Sequence, residues 1–425
     1  MDRDATRCAG GIRDVLSEDL LNSIARETGF CKRKRKLTPV RAAWTFLVGL
    51  GSGTANTLSD FVRLFAALTG EEIQYKPFHD RLSNASFPAF LRTLCGAMMS
   101  EFLKPTLSWR DGVLDRFDDV WIQDGSSFAL NNRLSAHFPG RFKKGSPAAA
   151  EIHCTYSLLE GQAVRLTVAP DTQAERNFLP DPSEVTGKLL LLDRGYISHA
   201  YFHDVISHGG SYICRAKEKH ANPRVLRCLE GLSKGIQPGM RLKEIDLPNR
   251  TVDFLIEGKD GKARFEQRLV FFWVEKAKKH VVLYTNLPAG DFPPSVVATA
   301  YRLRWQVELF FKECKSYTKL QKFQTADPHI AEGLIWGSMI AVMLRRHLTH
   351  SANEARGDRS APFVAAAVSW MFFRDLGQCA VRRYRGFGRV VAGVLRMLRE
   401  VARRTNPQRR TPFDELGIGA IEVCA

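Results

Sequence analysis

Three acids, Asp124, Asp193 and Glu308, are of the type and number that could together hold divalent cations. Asp124 ends the alternation Val120, Ile122, Asp124 in VWIQDGSSF, so it shares a strand face with two apolar residues. Asp193 follows Leu189–Leu192, a run that suits a strand buried on both faces. An acid at the C-terminal end of such a strand occupies the usual site position of an open α/β sheet. Glu308 lies in YRLRWQVELFFKECK, residues 301–315. At about 100° per residue, Tyr301, Arg304, Glu308, Lys312 and Lys315 share an arc roughly 80° wide, with Trp305 at its margin. Leu303, Val307, Phe310, Phe311 and Cys314 fall on a separate arc that faces a core. Each acid also has an ordinary reading. Asp124 caps the turn at Gly125, Asp193 is a surface-turn residue, and Glu308 belongs to an exposed i,i+4 salt-bridged face. Together, three carboxylates suit two divalent cations about 3.5–4 Å apart and phosphoryl transfer. Oxygen-only ligands favour Mg²⁺.

The elements that must position these side chains change character along the chain. Residues up to about 115 read as helices, including NTLSDFVRLFAALTG, which opens on a cap-type residue and stops at Gly70. Two short helices near the basic run CKRKRKLTPVR fit either a helix-turn-helix reader or an ordinary bundle. From about 117 to 217 the pattern turns to strands. DDVWIQDGSSFAL alternates, EIHCTYSLLEGQAVRLTVAP reads as a hairpin turning at Glu160-Gly161, and KLLLLDRGY is followed by a helix and a further strand. This is a mixed sheet with helices, an α/β class. Residues 218–285 interrupt the alternation with basic, strand-rich sequence and read as an inserted β subdomain. Helices return from about 293. The expected division is 1–115 helical, 116–323 a mixed sheet with helices, and 324–425 helical.

The chain has 62 Lys+Arg against 45 Asp+Glu, a net charge of +17. That excess attracts polyanions, and nucleic acid is the commonest; a merely basic enzyme is the bland alternative. Nine cysteines without a C-x-x-C pair suggest neither a disulfide framework nor a zinc site. The apolar run at 329–348 is broken by Glu332 and ends at Arg345, so it reads as a buried helix rather than a membrane span. No secretory signal is apparent, and a cytoplasmic, nucleoid-associated location is expected.

Tyr301, Arg304, Glu308 and Lys315 match Y-x2-R-x3-E-x6-K, and the sequence resembles the DDE transposases of the insertion-sequence-four family. IQDGSSF looks like that family's first-Asp strand and LLLLDRGY like its second, and the long Asp193–Glu308 interval holds a β insertion as in the group. The resemblance covers about 115 to 325 and implies that 116–323 is the catalytic domain; the helices of 1–115 then fit the group's DNA-binding region, and those of 324–425 fit either a dimer interface or an intramolecular core. It implies an RNase H-like catalytic fold, with Asp124, Asp193 and Glu308 holding two Mg²⁺ (Mn²⁺ as substitute). It also implies cut-and-paste transposition on double-stranded DNA: cleavage at the transposon ends, a hairpin, then strand transfer into target DNA by a homodimer. Arg304 and Lys315 would bind phosphates, with Lys312 as a further contact. Tyr301 would donate to phosphate, and Trp305 would be a platform for a flipped base. The rivals are an RNase H-like nuclease without strand transfer and a catalytically silent DNA-binding derivative.

Overall fold

The computed structural model describes residues 3–31, 36–102, 107–108, 112–216, 222–232, 236–319, 325–354, 362–401, 410–417 and 422–423. Residues 32–35 of the basic run CKRKRKLTPVR lie outside the described residues.

The chain begins with six helices: α1 (Arg3–Val15), α2 (Glu18–Glu27), α3 (Pro39–Gly51), α4 (Leu58–Thr69), α5 (Tyr75–Leu82) and α6 (Ser86–Phe102). Their ends follow local chemistry. The Thr57 side chain and Asp60 form a capping box that starts α4, and Gly70 in the left-handed region stops it. Thr38 caps α3, with Pro39 in its first turn. Nearly every residue of α3 is buried, which removes it as a reader of a DNA groove.

Strands follow: β1 (Leu107–Ser108), β2 (Val120–Ala129), β3 (Pro139–Phe142), β4 (Ser146–Ser157), β5 (Gln162–Pro170), β6 (Leu189–Leu192), then α7 (His199–Ser207) and β7 (Ser211–Arg215). Next come β8 (Val225–Glu230), β9 (Val252–Asp260), β10 (Ala263–Val274) and β11 (Lys279–Thr285). The chain closes with α8 (Pro294–Arg302), α9 (Trp305–Lys312), α10 (Pro328–Glu354), α11 (Pro362–Val381), α12 (Phe387–Val401), α13 (Pro412–Glu415) and β12 (Glu422–Val423). β12 pairs only with β1.

The other ten strands form one mixed sheet of order β3-β4-β2-β6-β7-β11-β10-β9-β8, with β5 also on β4. Within it, β5-β4-β2-β6-β7 is the RNase H-like arrangement. β2, β4 and β5 are antiparallel neighbours, and β6 and β7 run parallel to β2. The parallel strand Leu189–Leu192 is fully buried, as a strand covered on both faces must be. The strands expected as an inserted subdomain extend this same sheet. β11 pairs along β7, and β10, β9 and β8 continue outward. The extension shares a core built on Leu190, Tyr212, Phe254, Phe271 and Tyr284.

The helices before β2 and after α9 pack together. α10 lies on α6 and α3, and α11 lies on α3. Trp44, Phe46, Phe87, Leu334 and Met339 belong to one buried cluster. Contacts spanning some 300 residues join segments that a local reading separates. The apolar stripe of α12, with Val391, Val394, Leu395 and Leu398, is buried within this same body. No described helix is long and apolar enough to cross a membrane. The eight described cysteines are unpaired.

Candidate active site

Asp124 and Asp193 meet through strand register. Gln123 of β2 stands opposite Leu192 of β6 in the parallel pair, so the next residue on each strand is one of the two acids. Glu308 comes from α9, whose Val307, Phe310 and Phe311 are buried in the core, with Leu303 and Cys314 beyond its two ends. The spacing predicts one continuous helix over 301–315, and the structure corrects this. α8 stops at Arg302, and the break is bridged by i→i−3 bonds from Arg304 N to Tyr301 O (3.1 Å) and from Val307 N to Arg304 O (3.2 Å). After Lys312 the chain widens into a π-helical turn, Glu313–Tyr317. Such turns are rare and occur mostly at functional sites. One turn is tighter than an α-helix and the other wider.

Asp124, Asp193, Arg304, Glu308, Lys312 and Lys315 line one cleft of about 730 Å³, joined by Ser126, Phe311 and Lys319. Arg304 lies between two of the acids. Its Nη1 is 2.6 Å from Asp124 Oδ2, and its Nη2 is 2.5 Å from Glu308 Oε1. Asp124 also accepts from the Gly125 amide at 2.9 Å. Burial pushes the Asp124 carboxyl up to about 6. Arg304 pulls the other way, and Asp193 and Glu308 add to the rise. Burial opposes the Arg304 charge, but Asp124, Tyr301, Asp193 and Glu308 outweigh it and hold the guanidinium above its ordinary value.

The remaining predicted residues divide. Lys315 is half-buried on the π turn, and its Nζ donates to Ser127 O at 2.6 Å. Burial lowers its pKa. Lys312 is exposed on the cleft. Tyr301 is buried rather than presented to solvent; its hydroxyl is 3.4 Å from Asp193 Oδ1, and burial raises its pKa so that it stays a donor. Trp305 is 58% exposed and is not part of the cleft lining.

Two supports were not singled out in the sequence. The first holds the π turn: buried Glu313 accepts from Arg346 Nη2 of α10 at 2.7 Å. Nη1 of the same arginine donates to the Tyr156 hydroxyl at 2.6 Å. An arginine pair inside an apolar run was the available signal, since buried cations need partners. The second lies beside Gly125, where Glu151 and His153 are buried on β4. A Cβ at Gly125 would come within 2.7 Å of Glu151 Oε1, so a side chain at this position must displace the Glu151 carboxylate. Burial, reinforced by Glu175, pushes Glu151 up to about 7. Burial and Arg141 push His153 down to about 4, leaving it neutral. The alternation Glu151, His153, Thr155 against Ala150, Ile152, Cys154 was the trace of this polar face.

The cleft acids fit a hard divalent cation by chemistry: three carboxylates, with a guanidinium already balancing two of them. They are not gathered as tightly as a closed site. Among the described residues, the group with ligand atoms within 4.8 Å of one another is His203, Asp204 and Asp260, on α7 and β9.

A family model described as a transposase DDE domain matches residues 116–344. The chain is similar to the transposase for insertion sequence element IS231C of Bacillus thuringiensis subsp. berliner: 23% identity, covering 95% of this chain and 93% of the relative. It is also similar to the transposase for IS1151 of Clostridium perfringens, at 21% identity over 78% of each chain. A solved piggyBac transposase synaptic complex with hairpin DNA aligns with a TM-score of 0.46 and 12% identity, over 96% of this chain and 87% of that one. A DDE domain implies dependence on a divalent metal, and DNA is its partner. With the match spanning more than half its length, the chain belongs to the DDE transposase family, enzymes that cleave DNA and transfer its strands.

Proposed function

We propose that this chain is the transposase of a bacterial insertion sequence, working by cut-and-paste through a DNA hairpin with two Mg²⁺ ions. The observation that carries this reading is the convergence of Asp124, Asp193 and Glu308 on one cleft lined with Arg304, Lys312 and Lys315. The ions supply Lewis-acid charge to the attacking and leaving oxygens of each transfer. Asp124, Asp193 and Glu308 hold them. Arg304 then gives up its two carboxylates and takes a phosphate, to which its planar fork can bond at two points. Lys312, Lys315 and Lys319 line the path of the strand and neutralise phosphates. Tyr301 orients Asp193 through its hydroxyl. The exposed ring of Trp305 offers a stacking surface to a base displaced when the hairpin forms.

The reaction sequence is four phosphoryl transfers. Water cleaves one strand at the element's end, and the freed 3′-hydroxyl attacks the opposite strand to close a hairpin. A second water reopens it, and the 3′-hydroxyl joins target DNA. Two ends must be held together, so the working species is a homodimer.

An end-bearing duplex incubated with Mg²⁺ tests this reading. Hairpin and joined products are expected, and Glu308→Gln should abolish both while leaving DNA binding intact. Simple cuts alone would establish a nuclease. A gel shift without any product would establish a silent DNA-binding protein.

A further inference from the structure

Between β2, which carries Asp124, and β4 runs the excursion LNNRLSAHFPGRFKKG, residues 130–145, with four Arg or Lys and no acid. It ends in the β3–β4 hairpin, whose tip closes with Gly145 N donating to Phe142 O at 3.1 Å. The hairpin is tightly built. A Cβ at Gly140 would lie 2.0 Å from Ser146 O, so the backbones approach as only glycine allows. Arg141 is committed to the framework: its amide donates to Asp171 Oδ1 (2.6 Å), and its Nη2 donates to Asp171 O (2.9 Å). The cations left free of that framework at the tip are exposed Lys143 and Lys144. Between them and Arg141 stands Phe142, 68% exposed, the most exposed large apolar side chain among the described residues.

We propose that this tip is a second contact on the DNA duplex held in the cleft. Phe142 lies against sugar and base edges in the minor groove, with Lys143 and Lys144 on the flanking phosphates. An apolar side chain flanked by cations is a recurring minor-groove device. Four cations and no acid along the excursion favour a polyanion as the partner. Position supports the assignment. Asp124 pairs with Cys154 and Ser127 with Glu151, so β4 runs from beside the cleft to its start at Ser146. The eight steps from Cys154 back to Ser146 span about 26 Å at about 3.3 Å each, the length of roughly eight base pairs. This inference rests on the reading that the cleft holds the end of a duplex.

The test compares the wild-type chain with Phe142→Ala and Lys143→Ala/Lys144→Ala on duplexes bearing the element's end, about five and about fifteen base pairs long. Both variants should bind the longer duplex about tenfold more weakly and the shorter one as the wild type does. The double-lysine variant should also lower the salt slope of binding by about 2. Equal affinity of wild type and variants for the longer duplex overturns the proposal, as does a change in sedimentation of the DNA-free variants in place of a binding defect. If the wild type itself fails to bind the end duplex, the reading of the cleft fails instead.

Discussion

Two ion-paired arginines show how differently one side chain is used in this molecule. Arg268, in the sheet extension, is closed on every side. It bonds Asp253 (Nη2–Oδ2 2.5 Å), and Nη1 donates to the carbonyls of Leu287 (2.7 Å) and Phe292 (2.9 Å). Its side chain is 4% exposed and that of Asp253 1%. Arg304, in the cleft, is 16% exposed and divides its guanidinium between Asp124 and Glu308, which are 15% and 30% exposed. The first arrangement is saturated and has one solution. The second leaves carboxylate oxygens facing a cleft where another cation can take the arginine's place. The same ion-pair chemistry is therefore sealed from solvent in one region and, on the proposed function, exchangeable in the other.

The largest effect should come from the exchangeable pair. Glu308→Gln or Asp124→Asn is expected to lower DNA cleavage by at least about 10³-fold, since removal of a carboxylate disables the metal-assisted step. Cleavage within tenfold of wild type would remove these residues from the site.

Next, Arg268→Met should cost about 3–5 kcal/mol of stability, because it strands a buried Asp253. Burial already raises the pKa of that carboxyl against the pull of Arg268. Urea unfolding of the two arginine variants side by side checks the contrast. Arg304→Met should lose much less, as its carboxylates reach solvent. Equal losses would erase the distinction drawn here.

Arg346→Met should leave Glu313 buried without its cation and loosen the π turn, by about 3 kcal/mol on the same scale. A double-mutant cycle with Glu313→Gln should be strongly non-additive; additive losses would mean the two side chains act independently.

The smallest effect concerns pH. With the Asp124 carboxyl near 6, protons compete with the metal below that value. Divalent-ion affinity, followed by calorimetry without DNA, should be steady above about pH 7 and fall about tenfold per unit below about pH 6. A flat profile from 5 to 7 would place the binding carboxylates elsewhere.

The acids that line the candidate cleft were legible because they violate local patterns. Asp124 breaks an apolar face, Asp193 ends an all-leucine strand, and Glu308 sits in a cationic stripe. Buried residues on the opposite arc of the helix, Val307, Phe310 and Cys314, followed the same logic. What stayed hidden was non-local. β4 starts at Ser146, five residues before the strand read from sequence, because Ala148–Ala150 carry little strand preference and become strand only by pairing with β2 and β3. The break at Leu303–Arg304 and the π turn at Glu313 leave no compositional mark, since each depends on what the helix packs against.

By itself, the amino-acid sequence determined which side chains carry charge, which segments favour helix or strand, and which faces must be buried. Those properties depend on neighbours a few residues away. Only the tertiary structure decided that Arg304 bridges Asp124 and Glu308, that Tyr301 turns inward to Asp193, and that Arg346 anchors the π turn. Such choices balance desolvation against pairing for groups far apart along the chain, and that balance exists only once the layers have packed.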